Sequence, residues 1–190
     1  MSQSLSNLEI FCRQVLNRSH ENATAFLLLH QYKLWGNALS IIGQEIDSMI
    51  RVVYLLSISN LSYRNELIDA SVNGDRWTYQ GTQKPITDRH MVEVTTKIEF
   101  WARAAYKVRN SFIHLSNLHD YRDRDPLALI PKQDKREIIK HLRKYHHGPK
   151  EISPTFKDII PYLPSVILKM QQHLRDYVER LRKQVILRVP

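Results

Sequence analysis

Apolar residues recur every three or four positions along most of the chain, and alternating runs of the kind that form half-buried strands are scarce. The pattern predicts an all-α protein. A first helix opens at Ser6-Asn-Leu-Glu9, where a serine followed three residues later by a glutamate satisfies the free N–H groups of a helix start. Its apolar face carries Leu8, Phe11, Cys12, Val15 and Leu16. A second helix shows a denser stripe, Trp35, Ala38, Leu39, Ile42, Ile46, Met49, Ile50 and Val53, which fades near Asn60. From Asp69 to Thr87 the chain turns polar and is broken by Gly74, Gly81 and Pro85, as in a long exposed connection.

Thr87 is placed to cap a third long helix ending near Asp120, with Val94, Ile98, Trp101, Ala105, Val108, Phe112 and Leu115 on its inner face. Asp134-Lys-Arg-Glu137 reads as a further helix start and Gly148 as its stop. The final helix buries Val166, Ile167, Met170, Leu174, Tyr177, Val178, Leu181 and Val185, with Pro164 in its first turn. Four long amphipathic segments predict an up-and-down four-helix bundle, a single domain over residues 1–190, with a basic helical insertion at about 120–160 before the last helix.

Composition narrows the partners. With 43% hydrophobic residues in 190, the chain can bury a core without help, and a net charge of +9 with a pI near 9.7 favours a polyanion, nucleic acid before an acidic protein or a membrane surface. Between Lys132 and Lys150 seven lysines and arginines stand against Asp134 and Glu137. Lys140, Arg143 and Lys144 are candidate RNA contacts there, with Tyr145 as a stacking ring. Cys12, the sole cysteine, excludes internal disulfides and cysteine-based zinc motifs and fits a reducing, cytoplasmic setting. The N-terminal stretch lacks the basic and apolar regions of a secretion signal, and no apolar run approaches the roughly 18 residues of a membrane span. His141, His146 and His147 have no carboxylates at ligand spacing and read as a basic helix end rather than a metal site. The glycines form neither a Walker loop nor G-x-G-x-x-G, so no nucleotide cofactor is expected.

One stretch resists the core reading. In Val108-Arg-Asn-Ser-Phe-Ile-His-Leu-Ser116 an arginine, an asparagine and a histidine interrupt an apolar stripe. A helix turns by about 100° per residue, which points Asn110 and His114 away from that stripe and aligns them with Arg103 and Lys107 as one polar ridge. Arg109 falls about 60° from the stripe's centre, at the rim of the core, where a guanidinium needs an acidic or phosphate partner. A second arginine and histidine share the spacing, Arg136 and His141, but only Arg109 is followed directly by asparagine.

The R-N-x-x-x-H pattern from Arg109 to His114, late in the third long helix of a small bundle, resembles the HEPN superfamily. The resemblance implies a metal-independent endoribonuclease, cofactor-free and dimeric, from a toxin, phage-defence or RNA-processing system, with an antitoxin or defence-system partner possible. Arg109, Asn110 and His114 are then the catalytic residues and Arg103 and Lys107 contact RNA. HEPN proteins often carry an acidic residue on the second helix, a position filled here by Glu45, which an up-and-down bundle would set against Arg109. Many HEPN toxins paired with a small nucleotidyltransferase have a tyrosine two residues after the histidine, where this chain has Ser116. The chemistry suits these residue types. Attack by a ribose 2′-OH needs a group that titrates near neutrality and a cation facing the developing phosphorane. Arg109 and His114, about 140° apart around one helix, converge only in a groove, as at the axis of a homodimer. The alternative is a non-catalytic helical module that uses the same bundle to bind RNA or a protein.

Overall fold

The computed structural model describes residues 5–113 and 120–188, the side chains of 108–113 apart. Its described residues are helical throughout, joined by turns and one isolated bridge between Thr78 and Pro85. The helices are α1 (Asn7–Gln31), α2 (Trp35–Ser57), α3 (Leu61–Asn73), α4 (Asp88–Thr96), α5 (Ala102–Ile113), α6 (Pro126–Leu129), α7 (Lys132–His146), α8 (Phe156–Ile159) and α9 (Leu163–Arg182), with a 3-10 turn at 160–162 before α9.

Helix α1 starts where the sequence places it, the Ser6 hydroxyl accepting from the N–H of Glu9 at 3.3 Å. Three residues link it to α2, so the two pack as an antiparallel hairpin, tied across the pair by bonds from Ser19 and Asn22 to Glu45. Helix α9 also runs antiparallel to α1: Gln171 donates to the Ser19 carbonyl near the middle of the pair and Arg182 meets Glu9 at 3.2 Å near one end. Helix α2 is the centre of the structure. It packs on α1, α4, α5 and α9 and buries residues on nearly every side, among them Ala38, Ile46, Met49, Val53 and Leu56.

Helix α3 falls partly in a stretch that the sequence pattern treats as connection. Its text is polar, but Asn60 caps it, Gly74 closes it in the left-handed conformation at φ 79°, and Tyr63, Arg64, Leu67 and Ile68 make a narrow buried edge. The segment that follows is less exposed than expected, because Trp77 and Ile86 both enter the core.

The third long helix is two helices. Thr87 does cap α4, accepting from the N–H of His90 at 3.2 Å, but α4 stops at Thr96 and α5 begins only at Ala102. Thr96 returns its hydroxyl to the Val92 carbonyl, and the Glu99 carboxylate accepts from the Trp101 indole at 2.9 Å and the Tyr177 phenol at 2.7 Å. Only the Thr96 bond engages the backbone, and across the break Lys97, Ile98 and Ala102 each bond to the carbonyl three residues back in place of a regular ladder. Within α5 Arg103 and Lys107 are exposed as expected, but the fully buried residues are Ala102 and Ala104, while Ala105 and, just before the helix, Trp101 of the predicted stripe are only partly buried. Helix α9 follows its predicted stripe except at Val185, which lies beyond the helix and is exposed.

Helix α7 ends at His146, and His147, not Gly148, takes the left-handed position at φ 61°. Gly148 is needed for another reason. A Cβ there would lie 2.1 Å from the Tyr162 ring, so only glycine admits that close approach.

Candidate functional site

Helix α5 carries Arg109 and Asn110 in its second half and packs between α2 and α7. His114 and Ser116 lie outside the described residues, as do the side chains of Arg109 and Asn110. The surroundings of α5 are well defined. Arg103 faces solvent, whereas Lys107 is held by Asp134 of α7, its ammonium 3.1 and 3.3 Å from the two carboxylate oxygens. Asp134 is nearly inaccessible, and a buried carboxylate requires such a cation. Lys107 therefore fastens α5 to α7 as well as edging the α5 surface.

Glu45 of α2 lies against α1 with no exposure at all. One carboxylate oxygen accepts from the Ser19 hydroxyl and the other from the Asn22 amide at 3.1 Å. Ser19 and Asn22 are themselves buried, so a small polar network lies inside the α1–α2 interface. The Arg109 guanidinium expected opposite Glu45 is outside the described side chains. Asp47 and Arg51 form the ion pair expected of an i,i+4 spacing, at 3.3 Å, and Arg51 also approaches Asp88 at 3.7 Å.

The outer face of α7 supplies the basic surface. Lys132, Arg136, Lys140, Arg143 and Lys144 are all exposed, and with Lys135 they line a shallow groove closed on its far side by residues 152–154. Two sequence-based assignments change here. Arg143 donates from Nε to the Pro149 carbonyl at 3.0 Å and from Nη2 to that of Glu151 at 2.5 Å, so it shapes the groove wall. Tyr145 points the other way, into the interior, with the ammonium groups of Lys144 and Lys169 each 5.0 Å from its ring and His141 at 4.8 Å. It is not a free stacking platform. Lys140 and Lys144 are both exposed and line the groove, Lys144 with its ammonium also against the Tyr145 ring.

Behind α7 lies a feature that no sequence pattern indicates. A cavity of about 320 Å³ opens between α2, α5, α7, α8 and α9, walled by side chains such as Ile42, Phe100, Trp101, Leu142 and Phe156. His141 and His146 line it, their rings 5.6 Å apart. Ser165 gives its only hydroxyl proton to the Tyr162 carbonyl at 2.8 Å, so His146 must donate from Nδ1 to Ser165 at 2.9 Å, which fixes its neutral tautomer. Among the described residues, no three histidine, cysteine, aspartate or glutamate side chains are grouped as a metal would require.

Burial, reinforced by His146, Lys169 and His173, holds the His141 imidazole down at about 4, and burial lowers His146 too. A histidine kept neutral in the fold but titrating near 6.5 when unfolded contributes stability that is complete above pH 6.5. That stability is lost as the pH falls towards 4. Allowing for its partial exposure, the loss from His141 is about 2 kcal/mol. His141→Phe is expected to lose less stability than the parent between pH 7.5 and pH 4.5, measured by urea unfolding; equal losses would show that His141 does not set the acid sensitivity.

A further buried group, Arg64, escapes sequence reasoning, whereas Cys12 is buried as its place on the apolar face of α1 predicts. Arg64 is almost wholly buried and donates from Nη2 to the Ile58 carbonyl at 2.7 Å, closing the carbonyl end of α2, while its Nε and Nη1 have no partner among the described residues. Burial also pushes the Cys12 thiol up to about 11, which leaves it unreactive.

No helix among the described residues is long and apolar enough to cross a membrane. Comparison with known proteins gives no matching family model, curated protein or solved structure.

Proposed function

We propose that this chain is a metal-independent endoribonuclease of the HEPN type, a four-helix bundle acting as a cytoplasmic homodimer, with Arg109, Asn110 and His114 as its catalytic residues. The observation that carries the reading is the R-N-x-x-x-H run beginning on α5, a helix packed between the Glu45-bearing α2 and the basic α7. His114 accepts the ribose 2′-OH proton as that oxygen attacks phosphorus. Arg109 offsets the charge on the phosphorane, and the 5′-oxygen leaves as an alcohol, taking its proton from the imidazolium that His114 has become or from water, to give a 2′,3′-cyclic phosphate. Asn110 orients the imidazole or a phosphate oxygen. Arg103 on α5 and Lys140 and Lys144 on α7 extend the contact along the RNA backbone, and Lys107 retains part of its surface for the same role. A toxin, phage-defence or RNA-processing setting, with an antitoxin or defence partner, belongs to this reading.

The test is incubation of the purified protein with mixed RNAs in EDTA. Cutting is expected. Steeply salt-dependent binding without cutting would instead select the second reading, a non-catalytic RNA-binding module, which the free basic groove of α7 favours.

Both readings require the α7 face. Lys140→Glu combined with Lys144→Glu is expected to weaken single-stranded RNA binding at least ten-fold. It should also flatten the dependence of log K on log salt by about 1.4, two contacts at about 0.7 each. An unchanged salt slope in a fluorescence-anisotropy titration would remove α7 from the interface.

A further inference from the structure

The cavity behind α7 has the composition of a ligand site. We infer that it binds a small organic anion, a flat aromatic body carrying one acidic group, with the body among the aromatic walls and the acid against Lys169 and His141.

Its volume of about 320 Å³ falls within the range of small-molecule sites, about 300 to 1,000 Å³, and its walls are almost wholly apolar. Phe100, Trp101, Tyr145 and Phe156 present ring faces and edges, which favour a planar aromatic partner over a flexible chain. Two polar groups are left over. Among the described residues His141 Nδ1 has no hydrogen-bond partner, and it is closed to solvent, so a ligand supplies the missing bond once the ring turns toward the cavity it lines. Lys169 lines the same cavity, and among the described residues no carboxylate pairs with it; its ammonium rests over the Tyr145 ring. The one acid on the wall, Glu99, is already engaged by Trp101 and Tyr177, with His173 Nδ1 at 3.9 Å. An incoming anion thus meets an unpaired cation on one side and a compensated carboxylate on the other. This site is separate from the α5 motif and does not depend on the ribonuclease reading.

The probes are 1-anilinonaphthalene-8-sulfonate, an aromatic anion, and N-phenyl-1-naphthylamine, its uncharged counterpart of the same shape. Both are expected to gain fluorescence on binding at one site per chain. Lys169→Gln should weaken the sulfonate about ten-fold, the order for one charge-assisted contact, and leave the neutral probe unchanged. Lys183→Gln, an exposed lysine distant in sequence from the cavity lining, should change neither. Ala105→Trp and, independently, Val166→Trp fill the cavity and should exclude both probes; circular dichroism identifies whichever variant remains folded. Absence of binding, equal loss with Lys169→Gln and Lys183→Gln, or full binding in a folded cavity-filled variant would each overturn the inference.

Discussion

Glu45→Ala is expected to destabilise the protein by about 3–5 kcal/mol, a large share of the roughly 5–15 kcal/mol that holds a typical domain together. The carboxylate is fully buried and its two oxygens satisfy the Ser19 hydroxyl and the Asn22 amide, each buried in turn. Alanine leaves both donors without acceptors, at about 1–3 kcal/mol apiece, and adds a void between α1 and α2. Glu45→Gln keeps one acceptor, and the Asn22 amide can turn its oxygen to the new N–H group, so about half the loss is expected. Urea unfolding followed by circular dichroism measures both. A Glu45→Ala protein within about 1 kcal/mol of the parent would show that the network contributes little.

Removing either end of the proposed motif should have the largest effect on activity. His114→Ala and Arg109→Ala are each expected to lower RNA cleavage by about 10²–10⁴-fold, the contribution of a positioned acid–base group or of one fixed charge at a developing anion. Arg109→Lys keeps the charge but loses the planar fork, and should recover only part of the rate. His20→Ala, an exposed histidine on α1, should have no effect. Unfolding midpoints unchanged in the motif variants would separate a chemical role from a structural one.

Local signals carried much of the fold. Ser6 and Thr87 cap the helices they were expected to cap, and the stripes on α2 and α9 face the core because their apolar residues are dense enough to define a direction. The break after Thr96 is not legible, because no glycine or proline marks it and the apolar spacing runs straight through. The buried Ser19–Asn22–Glu45 network was hidden for a different reason: serine and asparagine on a mixed helix look like surface until a carboxylate from the next helix covers them. The basic outer face of α7 is legible in its sequence, and its inner face is not. His141, Tyr145 and His146 resemble surface residues in sequence, and only the packing of α9 and α8 turns them into a cavity wall. Of the candidate site, Arg103, Lys140 and Lys144 lie on accessible faces as expected, Lys107 and Arg143 have structural partners, and the side chains of Arg109, Asn110 and His114, proposed as catalytic, lie outside those described.

The most direct test of the ribonuclease assignment is end-group analysis of RNA incubated with the purified protein in EDTA, the parent beside His114→Ala. The expected result is fragments ending in 2′,3′-cyclic phosphate from the parent and intact RNA from the variant. Undiminished cleavage by His114→Ala, or an RNA-binding parent that leaves every substrate whole, would contradict it.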